Sequence, residues 1–164
     1  MLPLDTLHTI AEVGIAITGF AGIVVAIRGG PDRGMQPSVT DPLGVLFVAS
    51  LGTVFFCFVP EWLHAAIAEP DTVWRASLAA FGSYRLAYIA LILNAQRRGG
   101  AANPVAWRFS IGVSLGVLQL VGALGFLSDF QYFLYLSGLL WGLAVALTSF
   151  YSLLRGPAPE QRSV

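Results

Sequence analysis

Few residues of this chain can do chemistry, and most of them stand inside apolar sequence. Glu12, Glu61, His64, Arg85 and Gln119 are the polar side chains that a hydrocarbon environment makes costly. An ionisable group in such a place is held by a partner or lines a wet cavity, which makes it a functional hypothesis by default. Arg85 needs the partner most. At 1.5 Å per residue it lies about 15 Å above the cytoplasmic end of its segment, while Glu12 lies about 22 Å above the end of its own. An arginine side chain can bridge that offset, so the sequence predicts a Glu12–Arg85 pair, with Gln119 on the same polar path. The competing reading is an ion pair that only holds two helices together.

Glu61 and His64 stand i to i+3 after Pro60, which removes one backbone hydrogen bond and permits a kink. They form a candidate proton-responsive outer mouth, or else an ordinary solvated helix end. His8 and Glu12 share a helix face at i, i+4, but a chain with 2 histidines would need carboxylates and other copies to complete a transition-metal site. No metal and no cofactor is expected. Ser83, Ser114 and Ser137 have no histidine at comparable depth to activate them, so the chain is not expected to be an enzyme. Cys57 reads as a small buried apolar side chain that can form no internal disulfide.

These residues must be positioned by membrane-spanning elements. Of the 164 residues, 56% are hydrophobic and 11% charged, too few polar side chains to cover a soluble globule. A helix needs about 20 mostly apolar residues to cross the hydrocarbon layer, and roughly five stretches offer them: 7–27, 42–66, 73–93, 105–127 and 131–154. No sustained apolar/polar alternation suggests a barrel. The expected fold is all-α, one compact bundle of five transmembrane helices over residues 1–164. The third span is the weak one. Arg85 costs about 2.5 to 3.5 kcal/mol there, roughly what Leu78, Phe81, Leu86, Ile89 and their apolar neighbours return.

Arg28 and Arg33 follow the first span, Arg97, Arg98 and Arg108 separate the third from the fourth, and Arg155 and Arg162 follow the fifth. The alternate connections carry Asp5, Glu69, Asp71 and Asp129, with Arg75 their sole basic residue. Positive charge stays in the cytoplasm, which predicts an external amino terminus and a cytoplasmic carboxyl terminus in a cell inner membrane. No basic stretch precedes the first span, so it reads as a retained span rather than a secretory signal. Residues 29–41 and 99–104 read as loops, 128–129 as a tight outer turn and 156–164 as a tail. All the basic residues are arginine, which fits either phosphate contacts or a compositional bias, and the formal net charge of +0 gives no reason to expect nucleic acid.

Small residues mark the packing faces. Gly14, Thr18, Gly22 and Ala26 recur every four residues in the first span, beside a second stripe of Ala16, Gly19 and Ala26 next to Glu12. Gly112 and Gly116, and Gly138 and Gly142, repeat the spacing in the fourth and fifth. Such residues let helix backbones approach where lipid gives no hydrophobic drive, which makes the first span the expected centre of the bundle and self-association, or docking to another membrane protein, an expected property. Trp62, Trp74, Trp107, Tyr132 and Tyr135 fall near span ends as an interfacial belt, while Trp141 lies deeper against protein. The functional expectation is a channel or transport component for ions or small solutes; the alternative is a non-conducting assembly or interaction subunit.

Overall fold

The computed structural model describes residues 4–28, 42–67, 69–99 and 106–155. They form five helices: α1 (Leu4–Arg28), α2 (Pro42–Ala66), α3 (Pro70–Gly99), α4 (Ala106–Ala123) and α5 (Gln131–Arg155), with a 3₁₀ turn at Ser128–Phe130 before α5. No strand occurs among the described residues. Of the expected loops 29–41 and 99–104, Gly99 ends α3 and the rest lies outside the described residues, as do the tail and the side chains of Trp107 and Arg108.

Four helices are long and apolar enough to cross a membrane, over Asp5–Val24, Leu43–Ala66, Pro70–Ala95 and Ser128–Leu154. The apolar part of α4 is shorter, Ser110–Ala123. Large apolar side chains face outward along the helices, Phe20, Ile23, Phe55, Leu91 and Leu147 among them, as lipid contact requires and water would penalise.

The helix ends follow from local chemistry. Prolines open α2 and α3, where the missing N–H costs nothing. At the start of α3, Asp71 sits in the first turn and Thr72 donates to Glu69 Oε2 at 2.8 Å. The apolar stretch carried the expected fourth span to residue 127, but α4 stops at Ala123. Gly125 has φ +92°, a left-handed conformation suited to glycine, and its N–H donates to Gly122 O at 3.0 Å. Arg75 then holds the freed carbonyls, donating from Nε to Ala123 O at 3.1 Å and from Nη2 to Leu124 O at 3.0 Å. The connection to α5 is accordingly longer than the two-residue turn expected, and it exposes Leu124, Phe126 and Phe130.

The centre of the bundle is α5, which packs against all four other helices. The sequence reading placed α1 there; the structure places α1 at the edge, along α2 and α5. Both small stripes of α1 cannot face inward at once. Gly14 meets Val54, and Thr18 donates to Gly14 O and to Ser50 Oγ, each at 2.8 Å. The side bearing Glu12, Ala16, Gly19, Gly22 and Ala26 faces out, and a Cβ added at Gly19 or Gly22 meets no described residue within 4 Å. On α5 the small residues are used on two sides, Gly142 against Thr53 of α2 and Gly138 toward α3 and α4. The core joins Leu7, Ile10 and Ala11 to Phe56, Cys57, Leu78, Phe81, Tyr135, Leu139 and Leu143, at the end where α1, α3 and α5 begin.

Candidate functional site

The polar site forms where α3, α4 and α5 meet. α3 and α4 approach at Gly82 and Gly116: a Cβ added at Gly82 would stand 3.1 Å from Gly116 O, and one at Gly116 2.9 Å from Leu86 Cδ2 and 3.6 Å from Arg85 Cδ. One turn further along, Gly112 meets Ile89. The arginine stem therefore lies over Gly116, and its head reaches α5.

Arg85 is 7% exposed. Its Nη2 donates to Gly138 O at 2.7 Å, and the guanidinium carbon lies 4.7 Å from the centroid of the Phe81 ring. Gln119, fully buried, donates from Nε2 to Leu134 O at 3.2 Å. The two side chains thus bind carbonyls one turn apart on α5. A Cβ added at Gly138 would collide with Gln119 Nε2 and stand 2.9 Å from Arg85 Nη2, so glycine at 138 lets the two polar heads converge on one patch of α5. Arg85 Nη1, Gln119 Oε1 and Tyr88 OH are buried without a hydrogen-bond partner among the described residues. An orphaned buried polar group costs roughly 1 to 3 kcal/mol, and more if charged.

The Glu12–Arg85 pair does not form. Glu12 is exposed on the outward side of α1 and bonds to no described residue. The offset was within reach; the rotation of α1 was not, because its other small face, with Gly14 and Thr18, takes the contact with α2. Of the three residues assigned to one path, the structure brings Arg85 and Gln119 together and leaves Glu12 out.

Glu61 and His64 also separate. Glu61 accepts from or pairs with His8 of α1, Nε2 to Oε2 3.2 Å, with both side chains nearly half exposed, while His64 stays exposed. Among the described residues no three His, Cys, Asp or Glu side chains gather as a metal site would require.

Two further groups were missed by sequence reasoning. Tyr135, expected in the interfacial belt, is fully buried, and its hydroxyl donates to Phe56 O. Pro60 marks the reason: it has no N–H to give to the carbonyl four residues earlier, which is that of Phe56. The signal was the proline itself, since a freed carbonyl inside a span must find a donor. Tyr135 also stands between Trp74 and Phe81, at 5.7 Å and 5.4 Å between ring centroids, and Phe81 stacks on Phe56 at 4.6 Å. A run of aromatic rings thus packs α2, α3 and α5 together between Arg85 and the start of α3. Arg75, counted in the sequence only as a charge, is the second: besides holding the end of α4 it lies 3.6 Å from Asp71, whose Oδ1 accepts from Gln131 at 3.0 Å.

By fold and site, the described residues are a bundle of helices, four of them long and apolar enough to cross a membrane, with a buried guanidinium–amide centre. Compared with known proteins, it matches no family model, no curated protein and no solved structure.

Proposed function

We propose that this protein is a small channel or transport component for ions or small solutes, with Arg85 and Gln119 at the polar point of its path. One observation supports the reading above the others. Two buried polar atoms, Arg85 Nη1 and Gln119 Oε1, are left without partners among the described residues of a bundle of membrane-spanning helices. A site built only to brace helices gains by satisfying such atoms; a site that exchanges a solute leaves them for it.

In this reading all five helices cross. The apolar part of α4, Ser110–Ala123, rises about 21 Å, short of the hydrocarbon layer, and in this reading the apolar turn through Leu127 extends the span. The amino terminus is outside and the carboxyl terminus in the cytoplasm of a cell inner membrane, because the arginine-bearing connections alternate with acidic ones. Reporter fusions at both termini test the orientation; a carboxyl terminus outside means that one helix does not cross.

Function is tested by reconstitution. Liposomes holding the purified protein should pass small solutes down a gradient, and Arg85→Gln should change which ones pass. A well-folded protein that leaves vesicles impermeable under voltage and pH gradients rejects the transport reading.

The outward side of α1 favours a second reading, a non-conducting subunit that self-associates or docks other membrane proteins. Glu12 stands there among Ala16, Gly19 and Ile23, all exposed, with open space beside Gly19 and Gly22. Small residues with nothing against them suit a second helix, and a carboxylate at that depth suits a covered surface. The oligomeric state in mild detergent and in lipid decides it.

A further inference from the structure

We infer that the groove between α2 and α3 binds one anionic phospholipid, whose acyl chain lies in the groove and whose headgroup stands beside Arg97. The site is separate from the Arg85–Gln119 centre and holds whether or not the protein passes solutes; it rests only on the reading of α2 and α3 as membrane-spanning.

The groove follows from how glycines distribute the helices. Gly82 and Gly116 bring α3 onto α4, with Gly112 against Ile89, while Gly14 and Gly142 bring α1 and α5 onto α2. α2 and α3 are thus each drawn toward other neighbours, and the space left between them is a groove of about 430 Å³. Phe47, Val48, Leu51, Phe55 and Tyr84 wall it, and Gly52 lets the Tyr84 ring approach α2: a Cβ there would stand 2.6 Å from the Tyr84 hydroxyl. That hydroxyl donates to Val48 O at 3.4 Å, so the polar atoms at the wall are already engaged with each other. Leu51, Phe55 and Tyr84 are exposed along the open side.

A bound water needs two to four polar partners, which these walls do not offer. An empty groove would forfeit dispersion contacts along its lining. At hydrocarbon depth an acyl chain supplies them. From Phe47 to Phe56 the groove runs about 14 Å along α2, close to half of the roughly 30 Å hydrocarbon layer, which is what one leaflet fills. A helix of that length and width would occupy roughly 1,100 Å³, far more than the groove holds. A flexible chain enters where a helix can only lie across.

Charge names the head. The Phe47 end of the groove points to the end of the bundle where α2 begins and α1, α3 and α5 finish. Arg97 stands there exposed in the last turn of α3, about 20 Å beyond Tyr84 at the middle of that helix. That distance is half of the roughly 40 to 45 Å that a bilayer spans with its polar regions, so Arg97 lies at headgroup depth. Arg28 and Arg155 end α1 and α5 on the same side. The acidic side chains of the described residues, Asp5, Glu12, Glu61, Glu69, Asp71 and Asp129, belong to the other half of the bundle. A negative headgroup at the Phe47 end is therefore attracted by arginine and opposed by none of them.

The test maps where a lipid chain lies. The full chain is reconstituted in phosphatidylcholine liposomes with a trace of phosphatidylglycerol that carries a photoreactive diazirine in mid-chain. Cross-links should concentrate in residues 47–56 and at Tyr84, severalfold above the outward surfaces near Phe20 and Leu147, and replacing part of the phosphatidylcholine by unlabelled phosphatidylglycerol should abolish the enrichment. Val48→Trp fills the groove and should lose the enrichment. Arg97→Gln should keep its position and lower the preference for phosphatidylglycerol by about fivefold, the worth of one basic residue near an anionic surface. The wild-type map needs no variant to fold. Even labelling of all outward surfaces means annular lipid only and overturns the inference, as does enrichment that survives Val48→Trp or a preference indifferent to Arg97→Gln. A second copy over the groove also overturns it: Leu51→Cys, with Cys57 buried, would then give a disulfide-linked dimer in lipid. Failure here is separable from failure of the transport reading. Protein labelled in the groove that leaves liposomes sealed keeps the site and loses the path, and protein that passes solutes with even labelling does the reverse. Protein that alkaline carbonate strips from membranes loses both.

Discussion

Tyr135 gives its hydroxyl to the carbonyl of Phe56, the acceptor that Pro60 leaves without an intrahelical donor. A sequence feature that weakens α2 is thereby turned into a bond between α2 and α5. The bond ties α2 to the same turn of α5 whose Leu134 and Gly138 carbonyls accept from Gln119 and Arg85.

Tyr135→Phe should therefore destabilise the protein by about 0.6 to 2 kcal/mol, the range for hydrogen bonds between membrane helices. The decisive comparison is in a Pro60→Ala background, where the alanine N–H can itself donate to Phe56 O. There the same Tyr135→Phe change should cost markedly less. Reversible unfolding in detergent or bicelles measures the cycle, and equal costs in both backgrounds reject the linkage.

Much of the fold was legible from the sequence because long apolar runs bounded by prolines, charges and glycines read directly as helices, four of them long and apolar enough to cross a membrane. Helix boundaries for α2 and α5 follow almost residue by residue from Pro42, Ala66, Gln131 and Arg155. Rotation about the helix axes was not legible. Two small-residue stripes on α1 were equally good packing faces on paper, and the choice of Gly14 and Thr18 over Ala16 and Gly19 depends on Val54 and Ser50 of α2. That choice moved Glu12 out of the site. Arg85 and Gln119 were found because burial of polar groups is costly anywhere in a span; Tyr135 was missed because its position near a span end matched a commoner role for tyrosine.

The same rotation predicts that Glu12 and Arg85 are independent. They share no hydrogen-bond partner, and α1 packs along α2 and α5 rather than α3. Glu12→Gln and Arg85→Gln should add within about 0.5 kcal/mol in an unfolding cycle. A coupling well above that figure would restore the pair that the geometry separates.

Arg75 should matter more than its place at the edge of the bundle suggests. It places a cation at the carboxyl end of α4, where the helix dipole and the freed carbonyls both favour one. Arg75→Ala should cost about 1 kcal/mol and speed amide hydrogen exchange at Leu124 and Gly125, which bond back to Leu120 O and Gly122 O. Arg75→Lys should recover only part, since an ammonium lacks the fork that reaches two carbonyls. Unchanged exchange at those two amides in Arg75→Ala would show that the turn holds itself.

Glycines of like spacing should behave in opposite ways, because what stands beside them differs. A Cβ at Gly138 would run into Gln119 Nε2 and lie 2.8 Å from Phe81 Cε1 and 2.9 Å from Arg85 Nη2, with buried neighbours that have little room to yield. Gly138→Ala should cost about 1 to 3 kcal/mol by overpacking and displace the guanidinium from α5. At Gly22 the same Cβ meets no described residue within 4 Å, so Gly22→Leu should leave the stability of the single chain within about 0.5 kcal/mol. Whatever Gly22→Leu disturbs must then lie between chains. Unfolding measurements beside the oligomeric state in lipid separate the two: loss of assembly with an unchanged monomer assigns the outward side of α1 to a partner helix. Unchanged assembly and unchanged stability would leave that side to lipid and remove the observation that favours the interaction-subunit reading.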